Sequence, residues 1–257
     1  MTTDSRPDGN RETRRFSRLT YEDFRALAKD PSLSAFEKIG FPNAFREEKE
    51  PEIYADILRK LGNLSIKGAS VLDVGPGCSE LPKMLVEHAL QLEHGLVLMD
   101  SREMLDLLPD GPNVTKVAGR FPQDRAALGE NASYDVVLVY SVLQHVFLEA
   151  NPFVFIDDLL TLLRPGGELL LGDIPNISKL DRFLDSEAGA AHHREYMRTD
   201  DAPVVPPHRI EHGRLDDAAI LAILGRARAA GFDAYVLPQP PTLPMSNRRE
   251  DIYIRRP

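Results

Sequence analysis

The stretch VLDVGPGCSELPKML, residues 71–85, decides the fold. Its apolar start is typical of an interior strand of a parallel sheet, and Pro82 falls early in the helix that follows, where its missing N–H matters little. Gly75 and Gly77 adopt backbone angles closed to other residues and carry no side chain, so a ligand can lie against the main chain. The helix N-terminus offers free N–H donors and a partial positive charge. The stretch therefore predicts a cradle of the nucleotide-binding type.

Two side chains indicate which kind of nucleotide this cradle binds. The dinucleotide fingerprint places a third glycine where this chain has Glu80, which is poorly suited to close packing of the helix on the strand. Asp73 stands two residues before the first glycine, where its carboxylate would repel a pyrophosphate and attract a ligand with an ammonium group. An NAD-dependent oxidoreductase is therefore disfavoured. A Gly-rich turn without a ligand stays open as the alternative.

The acid-x-Gly-x-Gly pattern of this loop resembles motif I of the class I S-adenosylmethionine-dependent methyltransferases, with Ser79 in place of the usual third glycine. The resemblance implies S-adenosyl-L-methionine as the cofactor, with its methionine moiety held by the loop. It places four loop residues in contact with the cofactor: Asp73, Gly75, Pro76 and Gly77.

Bulk properties limit the partners. The 257 residues carry a net charge of −9, which excludes a general electrostatic attraction to nucleic acid. Cys78 is the single cysteine, so no intrachain disulfide forms, as is typical of the cytoplasm. No apolar run approaches the roughly 20 residues that span a bilayer, and the N-terminus lacks the apolar segment of a signal peptide. These features predict a soluble, cytoplasmic protein with no membrane or nucleic-acid partner, and they leave its oligomeric state open.

Composition divides the chain into three parts. Residues 1–15 are polar and charged and predict a disordered tail. Residues 16–66 predict an N-terminal helical cap whose first helix begins after Thr20. Residues 67–257 are the predicted methyltransferase domain, with a substrate-binding insertion at about 174–214. In the family that the loop resembles, the N-terminal region covers the cofactor cleft.

From residue 70 onward, predicted strands alternate with predicted helices. Together with the resemblance, this alternation predicts an α/β, Rossmann-like fold. The expected sheet is seven-stranded and mostly parallel, in the order 3-2-1-4-5-7-6. Its last strand is antiparallel, and helices cover both faces.

Asp100 ends the second predicted strand, 23 residues after Gly77. This is close to the spacing expected of a carboxylate that holds a ribose diol. The alternative is that Asp100 caps the helix that begins near Arg102. Ser101, beside Asp100, joins the predicted cofactor contacts.

The third predicted strand, residues 114–118, is followed by a departure from the family pattern. An acidic residue just beyond this strand commonly holds the adenine amino group in the family, whereas this chain has Gly119, Arg120 and Phe121. An arginine has no acceptor for that amino group. Backbone groups near Arg120 and Phe121, or the carboxylate of Asp124, are therefore expected to recognise adenine.

The fourth predicted strand, residues 134–139, leads into a segment from Tyr140 to Val146 that resembles motif IV of the family, whose loop faces the transferable methyl group. Ser141 is accordingly a predicted cofactor contact. His145 is a candidate general base because an imidazole titrates near neutral pH, and a cofactor-side or structural role is equally open. Metal-assisted catechol chemistry fits less well, because the strand ends in Tyr140-Ser141 rather than in an acidic ligand.

The run Arg164-Pro165-Gly166-Gly167 also resembles the family. Its proline and glycines end a helix predicted over 151–163. The fifth strand, residues 168–172, then ends at Asp173. The resemblance covers residues 70–173.

The insertion is rich in histidine and arginine and has no clear apolar period. Segments of this length are more often functional than idle, so His192, His193 and His208 are expected to reach the acceptor from a substrate lid. His208 and His212 also have the i, i+4 spacing of a helical metal pair. The neighbouring prolines argue against a helix there, so no metal is expected.

The C-terminal region predicts an antiparallel pair of strands over 232–237 and 251–254. Arg248 and Arg249 would enter the last strand at the sheet edge where open α/β sheets bind ligands. The two arginines are either solvated or bind an anionic substrate. The segment 243–251 also resembles bacterial polysaccharide-associated methyltransferases.

The sequence as a whole predicts methyl transfer by in-line displacement at the sulfonium methyl, with a hydroxyl of a sugar or related small polar metabolite favoured as the acceptor. N-methylation of a small molecule and a non-catalytic cofactor-binding scaffold stay open. Positioning of the nucleophile and the methyl group can lower the activation free energy by roughly 7–11 kcal/mol in favourable cases. An alcohol acceptor would also need a general base. Five residues are candidates: His145, Asp173, His192, His193 and His208.

Overall fold

The structure, a computed structural model, describes Phe16 and residues 18–205 and 213–257. The predicted tail at 1–15 and the pair His208 and His212 lie outside the described residues. The described chain forms one seven-stranded sheet in the order β3-β2-β1-β4-β5-β7-β6. The predicted strand order is therefore confirmed.

Five strands run parallel, and the sheet is completed by an antiparallel hairpin. Neighbours pair in parallel from β3 to β5, while β7 pairs antiparallel with both β5 and β6, as expected for the last strand. The strands are β1 Ser70–Val74, β2 Gly95–Asp100, β3 Val114–Ala118, β4 Tyr134–Tyr140, β5 Leu163–Pro175, β6 Asp233–Pro238 and β7 Arg249–Arg255.

Helices precede the sheet and connect its strands. Those before the sheet are α1 Tyr21–Lys29, α2 Ala35–Lys38, α3 Asn43–Arg46 and α4 Glu50–Lys60, with a 3-10 turn at Gly62–Ser65. Those within it are α5 Glu80–Gln91, α6 Arg102–Leu105, α7 Leu143–Glu149, α8 Pro152–Thr161, α9 Ile177–Leu184, α10 Glu187–Met197 and α11 Asp217–Ala229, with a second 3-10 turn at Arg125–Leu128.

Local side-chain chemistry sets several helix starts. The Thr20 hydroxyl accepts from the backbone N–H of Asp23 while the Asp23 carboxylate accepts from that of Thr20, which is a capping box. Asp216 caps α11 by accepting from the N–H of Ala219. Both positions follow from the sequence, because such caps need only residues three apart.

β5 is longer than predicted at both ends. Tyr134 pairs with Leu163 and Val136 pairs with Glu168, so residues 164–167 bulge out between the two pairings. The Pro-Gly-Gly run therefore interrupts a strand rather than simply preceding one. α6 ends at Leu105, whereas the sequence predicts a helix from Arg102 to about Leu108.

The insertion contains regular structure that the sequence did not reveal. Pro175 completes β5, and helices α9 and α10 follow directly. The Asn176 side chain starts α9 by accepting from the N–H of Ser178, and Ser186 starts α10 by accepting from that of Gly189. Only Ile177 and Gly189 are buried on these two helices. α9 nevertheless carries apolar residues at the spacing of an amphipathic helix, namely Ile177, Leu180, Phe183 and Leu184, so the expected lack of an apolar period is wrong for α9.

Two apolar layers cover the sheet. One contains side chains of α8 and α11, such as Ile156 and Ile223, and the other contains side chains of α4 and α5, such as Ile57 and Leu85. The sheet strands bury apolar residues toward both layers, as a parallel sheet covered by helices requires. Within the described ranges, no helix has the length and apolar character needed to cross a membrane.

Candidate functional site

A cleft opens at the carboxyl ends of the parallel strands, beneath the N-terminal helices. It contains about 1020 Å³ of empty space, a figure that includes the part open to solvent. The sheet side presents the loop after β1, the ends of β2 and β3, and the start of α7. The opposite wall comes from the N-terminal helices and their connections: Tyr21, Phe24, Ile39, Phe41, Arg46 and Glu50.

The glycine loop needs glycine at both predicted positions. Gly75 has φ +73° and Gly77 has φ +68°, values that L side chains rarely adopt. A Cβ at Gly75 would lie 2.6 Å from Cγ2 of Val142, and a Cβ at Gly77 would lie 2.5 Å from Cγ2 of Ile39. The two glycines therefore allow close approach of neighbouring groups as well as an unusual backbone path, and both line the cleft with Pro76.

Asp100 is tied to the glycine loop. Its carboxylate accepts from the N–H of Gly77 at 3.0 Å and from that of Ser101 at 2.6 Å, and it lines the cleft. Burial raises the pKa of Asp100 to about 6 despite these hydrogen bonds. Ser101 itself is buried and caps α6 by accepting from Met104, so its side chain faces the helix rather than the cleft.

Asp73 lies beneath the same loop, buried and away from the cleft surface. Burial raises the pKa of its carboxyl to about 8, and the negative charge of Asp100 adds to the shift. The sheet floor therefore holds two neighbouring carboxyl groups whose charged forms disfavour one another. A cationic ligand above them would relieve that cost.

The far end of the cleft is aromatic and carries one ion pair. Arg120 forms a salt bridge with Glu149 at 3.1 Å, and its guanidinium lies 5.4 Å from the centre of the Tyr21 ring. Phe121 is buried and lines the cleft. The Asp124 carboxylate turns back to accept from the N–H of Arg120 at 2.7 Å, and Asp124 does not line the cleft. Of the two predicted ways to recognise adenine, this arrangement favours the backbone near Arg120 and Phe121.

The ends of β4 and β5 meet in a buried polar network. Asp173, a predicted site residue, accepts from Arg46 at 2.7 Å and from Arg249 at 2.8 Å. The Ser141 hydroxyl donates to the same carboxylate and accepts from Arg46 at 2.6 Å. Ser141 and Asp173 both have positive φ, 60° and 59°, so the two strand ends hold constrained conformations. Asp173 is thus engaged by two arginines and is not free to act as a base.

Two acidic residues continue the network toward the hairpin and α4. Asp251 accepts from the N–H of Asp173 at 2.8 Å, from Gln239 at 3.0 Å and from Lys60 at 2.6 Å. Lys60 also pairs with Asp56. Arg249 is therefore buried within an ion-pair network, while Arg248 makes no side-chain hydrogen bond within the described chain and is half-buried. Of the two predicted alternatives, solvation is wrong for Arg249, which is buried, and binding of an anionic substrate stays a prediction.

His145 lines the cleft as a neutral imidazole. Its Nδ1 lies 3.2 Å from the carbonyl oxygen of Leu19, which can only accept, so Nδ1 carries the proton. Nε2 then accepts from the Gln144 side chain at 3.3 Å. Burial lowers the pKa of His145 to about 4, and its ring packs edge-on against Phe24 at 4.7 Å. His145 therefore anchors the N-terminal segment, and its basicity is weak.

Glu50 is a cleft residue that the sequence did not indicate. It is 1% exposed, and its Oε2 accepts from the N–H of Leu81 at 2.7 Å in the first turn of α5. Ser79, at the cap position of that helix, makes no capping hydrogen bond of its own. The helix N-terminus was expected to direct free N–H donors toward the ligand, but Glu50 takes one of them. No local pattern could have shown this, because the two residues are 31 positions apart.

The remaining predicted residues lie away from the cleft. His192 is exposed on α10, between the rings of Phe183 and Tyr196, and His193 is half-buried on the same helix. Neither lines the cleft. Among the described residues, no group of three or more His, Cys, Asp and Glu side chains is arranged to hold a metal ion.

Known proteins resemble this chain in fold but not in sequence. No protein-family model and no curated protein matches the sequence. Among solved structures, the plantazolicin methyltransferase BpumL, in complex with SAH and a monoazolic desmethylPZN analog, is 15% identical, with a TM-score of 0.56 over 96% of this chain and 99% of its own. The N-methyltransferase NodS from Bradyrhizobium japonicum WM9, in complex with SAH, is 15% identical, with a TM-score of 0.55 over 92% and 98%. This chain has the class I methyltransferase fold.

A further solved structure has a similar fold. A putative methyltransferase in complex with the Haloferax volcanii Trm112 activator is 14% identical, with a TM-score of 0.54 over 91% of this chain and 98% of its own. The likeness spans nearly the full length of each protein, including the N-terminal helices. At these identities it establishes the fold, so function has to be argued from the residues of the cleft.

Proposed function

We propose that this chain transfers a methyl group from S-adenosylmethionine to a small polar acceptor. The observation that carries the proposal is the contact of Asp100 with the glycine loop, where a half-buried carboxylate accepts from the N–H of Gly77 and lines the cleft together with two glycines of positive φ. In this assignment Asp100 holds the ribose diol, and the loop from Gly75 to Gly77 supports the methionine moiety. Solved neighbours with the same fold are bound to SAH, the product of such a reaction.

The chain's own contribution is binding, orientation and exclusion of water. When bound, the cofactor supplies a sulfonium methyl group for in-line displacement. Arg120 and Phe121 border the place where adenine would lie, and Ser141 and His145 border the side toward the acceptor. Helices α1 to α4 act as a cap over the cleft, and α9 with α10 form a lid beside the acceptor. We assign the regions 16–66 and 174–214 these roles.

The state of His145 favours N-methylation as a second candidate over the hydroxyl acceptor. A neutral imidazole with a pKa of about 4 and an engaged Nε2 is a weak base for an alcohol. Asp173 is engaged by Arg46 and Arg249. An amine needs only to lose its own proton before attack, so it places no such demand on the cleft. NodS, one of the solved neighbours, is an N-methyltransferase.

The test of the proposal is methyl transfer itself. Purified protein is incubated with methyl-labelled S-adenosylmethionine and matched panels of small polyols, sugar nucleotides and amines, and the labelled products are separated. Label in an amine or a hydroxyl compound identifies the acceptor class. Binding of S-adenosylhomocysteine without labelled product in any panel would point to a scaffold, and tight NAD binding without S-adenosylhomocysteine binding would refute the proposal.

Asp100→Ala is the matched variant for this test. Loss of the ribose contact should weaken S-adenosylhomocysteine binding at least tenfold, or about 1.4 kcal/mol, measured by calorimetry. Asp106→Ala, an exposed acid six positions further on, is the control and should leave the affinity unchanged. Equal affinity in the Asp100 variant would remove Asp100 from the site.

A further inference from the structure

Two buried side chains of opposite charge line the cleft and each leaves a polar atom without a partner. Arg46 is 2% exposed and Glu50 is 1% exposed, and both belong to the cleft wall formed by the N-terminal helices. Arg46 Nε and Glu50 Oε1 have no hydrogen-bond partner of normal geometry among the described residues. Buried polar groups are almost always paired, so a buried donor and a buried acceptor left open in the same cavity indicate a ligand that supplies both partners.

The surroundings fix the sign of charge that each group would bind. Arg46 reaches the carboxylate of Asp173 through Nη2 alone and shares it with Arg249, so the Arg46 guanidinium retains donors for a second carboxylate. Arg46 also stacks on Phe41, with its guanidinium carbon 4.1 Å from the ring centre, which holds it in place. An incoming carboxylate would complete the pairing of Arg46.

Glu50 presents the complementary group beside the glycine loop. Its Oε2 is fixed by the N–H of Leu81, which leaves Oε1 for a donor in the cleft. Burial raises the pKa of Glu50. The Ser79 hydroxyl, the positive charge of Arg46 and the backbone N–H groups of Leu81 and Glu80 partly offset the shift. A ligand ammonium would stabilise the carboxylate and supply the missing hydrogen bond.

We propose that Arg46 and Glu50 form a clamp for an α-amino acid group, with Arg46 binding its carboxylate and Glu50 its ammonium, and that the group is the methionine moiety of the cofactor. The proposal rests on the proposed function, because it assumes that the glycine loop holds S-adenosylmethionine. It adds the N-terminal helices to the cofactor site. The backbone of the loop supports the chain of the methionine moiety, while the two side chains recognise its charges.

The test is a set of calorimetric titrations with four ligands. S-adenosylhomocysteine carries both charged groups, its decarboxylated analogue only the amine, its deaminated analogue only the carboxylate, and methylthioadenosine neither. The wild-type protein should bind S-adenosylhomocysteine at least tenfold more tightly than methylthioadenosine. Similar affinity for these two ligands would overturn the clamp.

Variants assign the two charges. Glu50→Gln should weaken binding of S-adenosylhomocysteine and of the decarboxylated analogue about tenfold, while binding of the deaminated analogue and of methylthioadenosine stays unchanged. Arg46→Lys should show the opposite selectivity between the two single-charge analogues. Glu52→Gln, an exposed position on the same helix, is the matched control and should alter none of the four affinities.

The outcomes separate the clamp from the proposed function. Unchanged methylthioadenosine binding in a variant shows that the variant is folded, so loss of the other ligands supports the clamp. Loss of all four ligands by the same factor, or of both analogues equally, would overturn it. If the wild-type protein binds none of the four, the proposed function itself fails. If it binds them without regard to the amino acid group, only the clamp fails.

Discussion

The two sides of the cleft are built in different ways. On the side of β1 and β2, a backbone turn at Gly75 and Gly77 meets one carboxylate, Asp100, and all three lie within 26 residues. On the side of β4 and β5, Arg46, Asp173 and Arg249 come from widely separated parts of the chain and bind one another. On the first side these groups line the cleft. On the second side most of the charged groups pair with one another and stabilise the fold.

The glycine-loop side is suited to ligand binding, whereas the ion-pair network on the other side of the same cavity mainly stabilises the fold. On the glycine-loop side, burial raises the pKa of Asp73 and of Asp100, and no cationic side chain pairs with either carboxyl group within the described residues, so a cationic ligand would be favoured there. On the opposite side each carboxylate has at least one cationic partner within hydrogen-bond distance. We therefore expect substitutions at the glycine loop to change ligand affinity as well as stability, and removal of a carboxylate from the network on the second side to act mainly on the free energy of unfolding.

The largest effect is expected for Asp173→Ala, which removes a carboxylate from the ion-pair network. Removing this carboxylate leaves Arg46 and Arg249 buried without their shared partner, which should lower the free energy of unfolding by about 3–5 kcal/mol. Urea denaturation followed by circular dichroism measures the change. Glu130→Ala, an exposed acid, is the control and should change stability by less than about 0.5 kcal/mol. A fully stable Asp173 variant would mean that the network does not support the fold.

Alanine substitutions at two glycines test the glycine-loop side of the cleft. Gly77→Ala and Gly68→Ala both place a side chain at positive φ, +68° and +76°, which costs about 1–2 kcal/mol in each. Only at Gly77 would the new Cβ meet a neighbour, Cγ2 of Ile39 at 2.5 Å, since nothing lies within 4 Å at Gly68. Gly77→Ala should therefore lose about 1–3 kcal/mol more on urea unfolding.

The same pair should differ in ligand binding. Gly77→Ala should weaken S-adenosylhomocysteine binding at least tenfold in calorimetry, because the loop must shift to admit the methyl group. Gly68→Ala should bind as the wild-type protein does, since Gly68 is remote from the cleft lining. Equal affinities in the two variants would show that the loop does not approach the ligand closely.

The sequence was sufficient to predict the fold because its signals are local. The apolar strands, the glycine turn and the caps at Thr20 and Asp216 each depend on residues a few positions apart, and the family resemblance supplied the strand order. The sequence of α10 contains few apolar residues and gives no helical signal, whereas the apolar spacing of α9, from Ile177 to Leu184, is present in the sequence and predicts a helix. The bulge at residues 164–167 was missed because it depends on pairing between β4 and β5.

The candidate site was predictable only where its residues are neighbours in the chain. The glycine loop and Asp100 could be read from spacing. Glu50 could not, because its partner Leu81 is on another helix, and Arg249 was described as solvated or substrate-binding because its pairing with Asp173 spans 76 residues. A buried ion pair leaves no periodic signature in sequence, since each member looks like an ordinary surface charge.

The smallest expected effect is the pH dependence of stability contributed by Asp73. Burial raises the pKa of its carboxyl from 3.8 to about 8, so the folded chain keeps this proton over a range in which the unfolded chain has released it. The stabilisation is fully present below about pH 4 and is lost as pH rises toward 8, at up to about 1.4 kcal/mol per pH unit. Between pH 6 and 8 this dependence should lower the free energy of unfolding by about 2 kcal/mol.

Asp73→Asn isolates this contribution, because the amide has the same shape and carries no titrating proton. Urea unfolding of the wild-type protein and of the variant at pH 6, 7 and 8 should give stability differences that shift in favour of the variant as pH rises. A constant difference across this range would mean that Asp73 is already ionised in the folded chain. The glycine-loop side would then hold a permanent negative charge, and its contrast with the paired carboxylates across the cleft would rest on geometry alone.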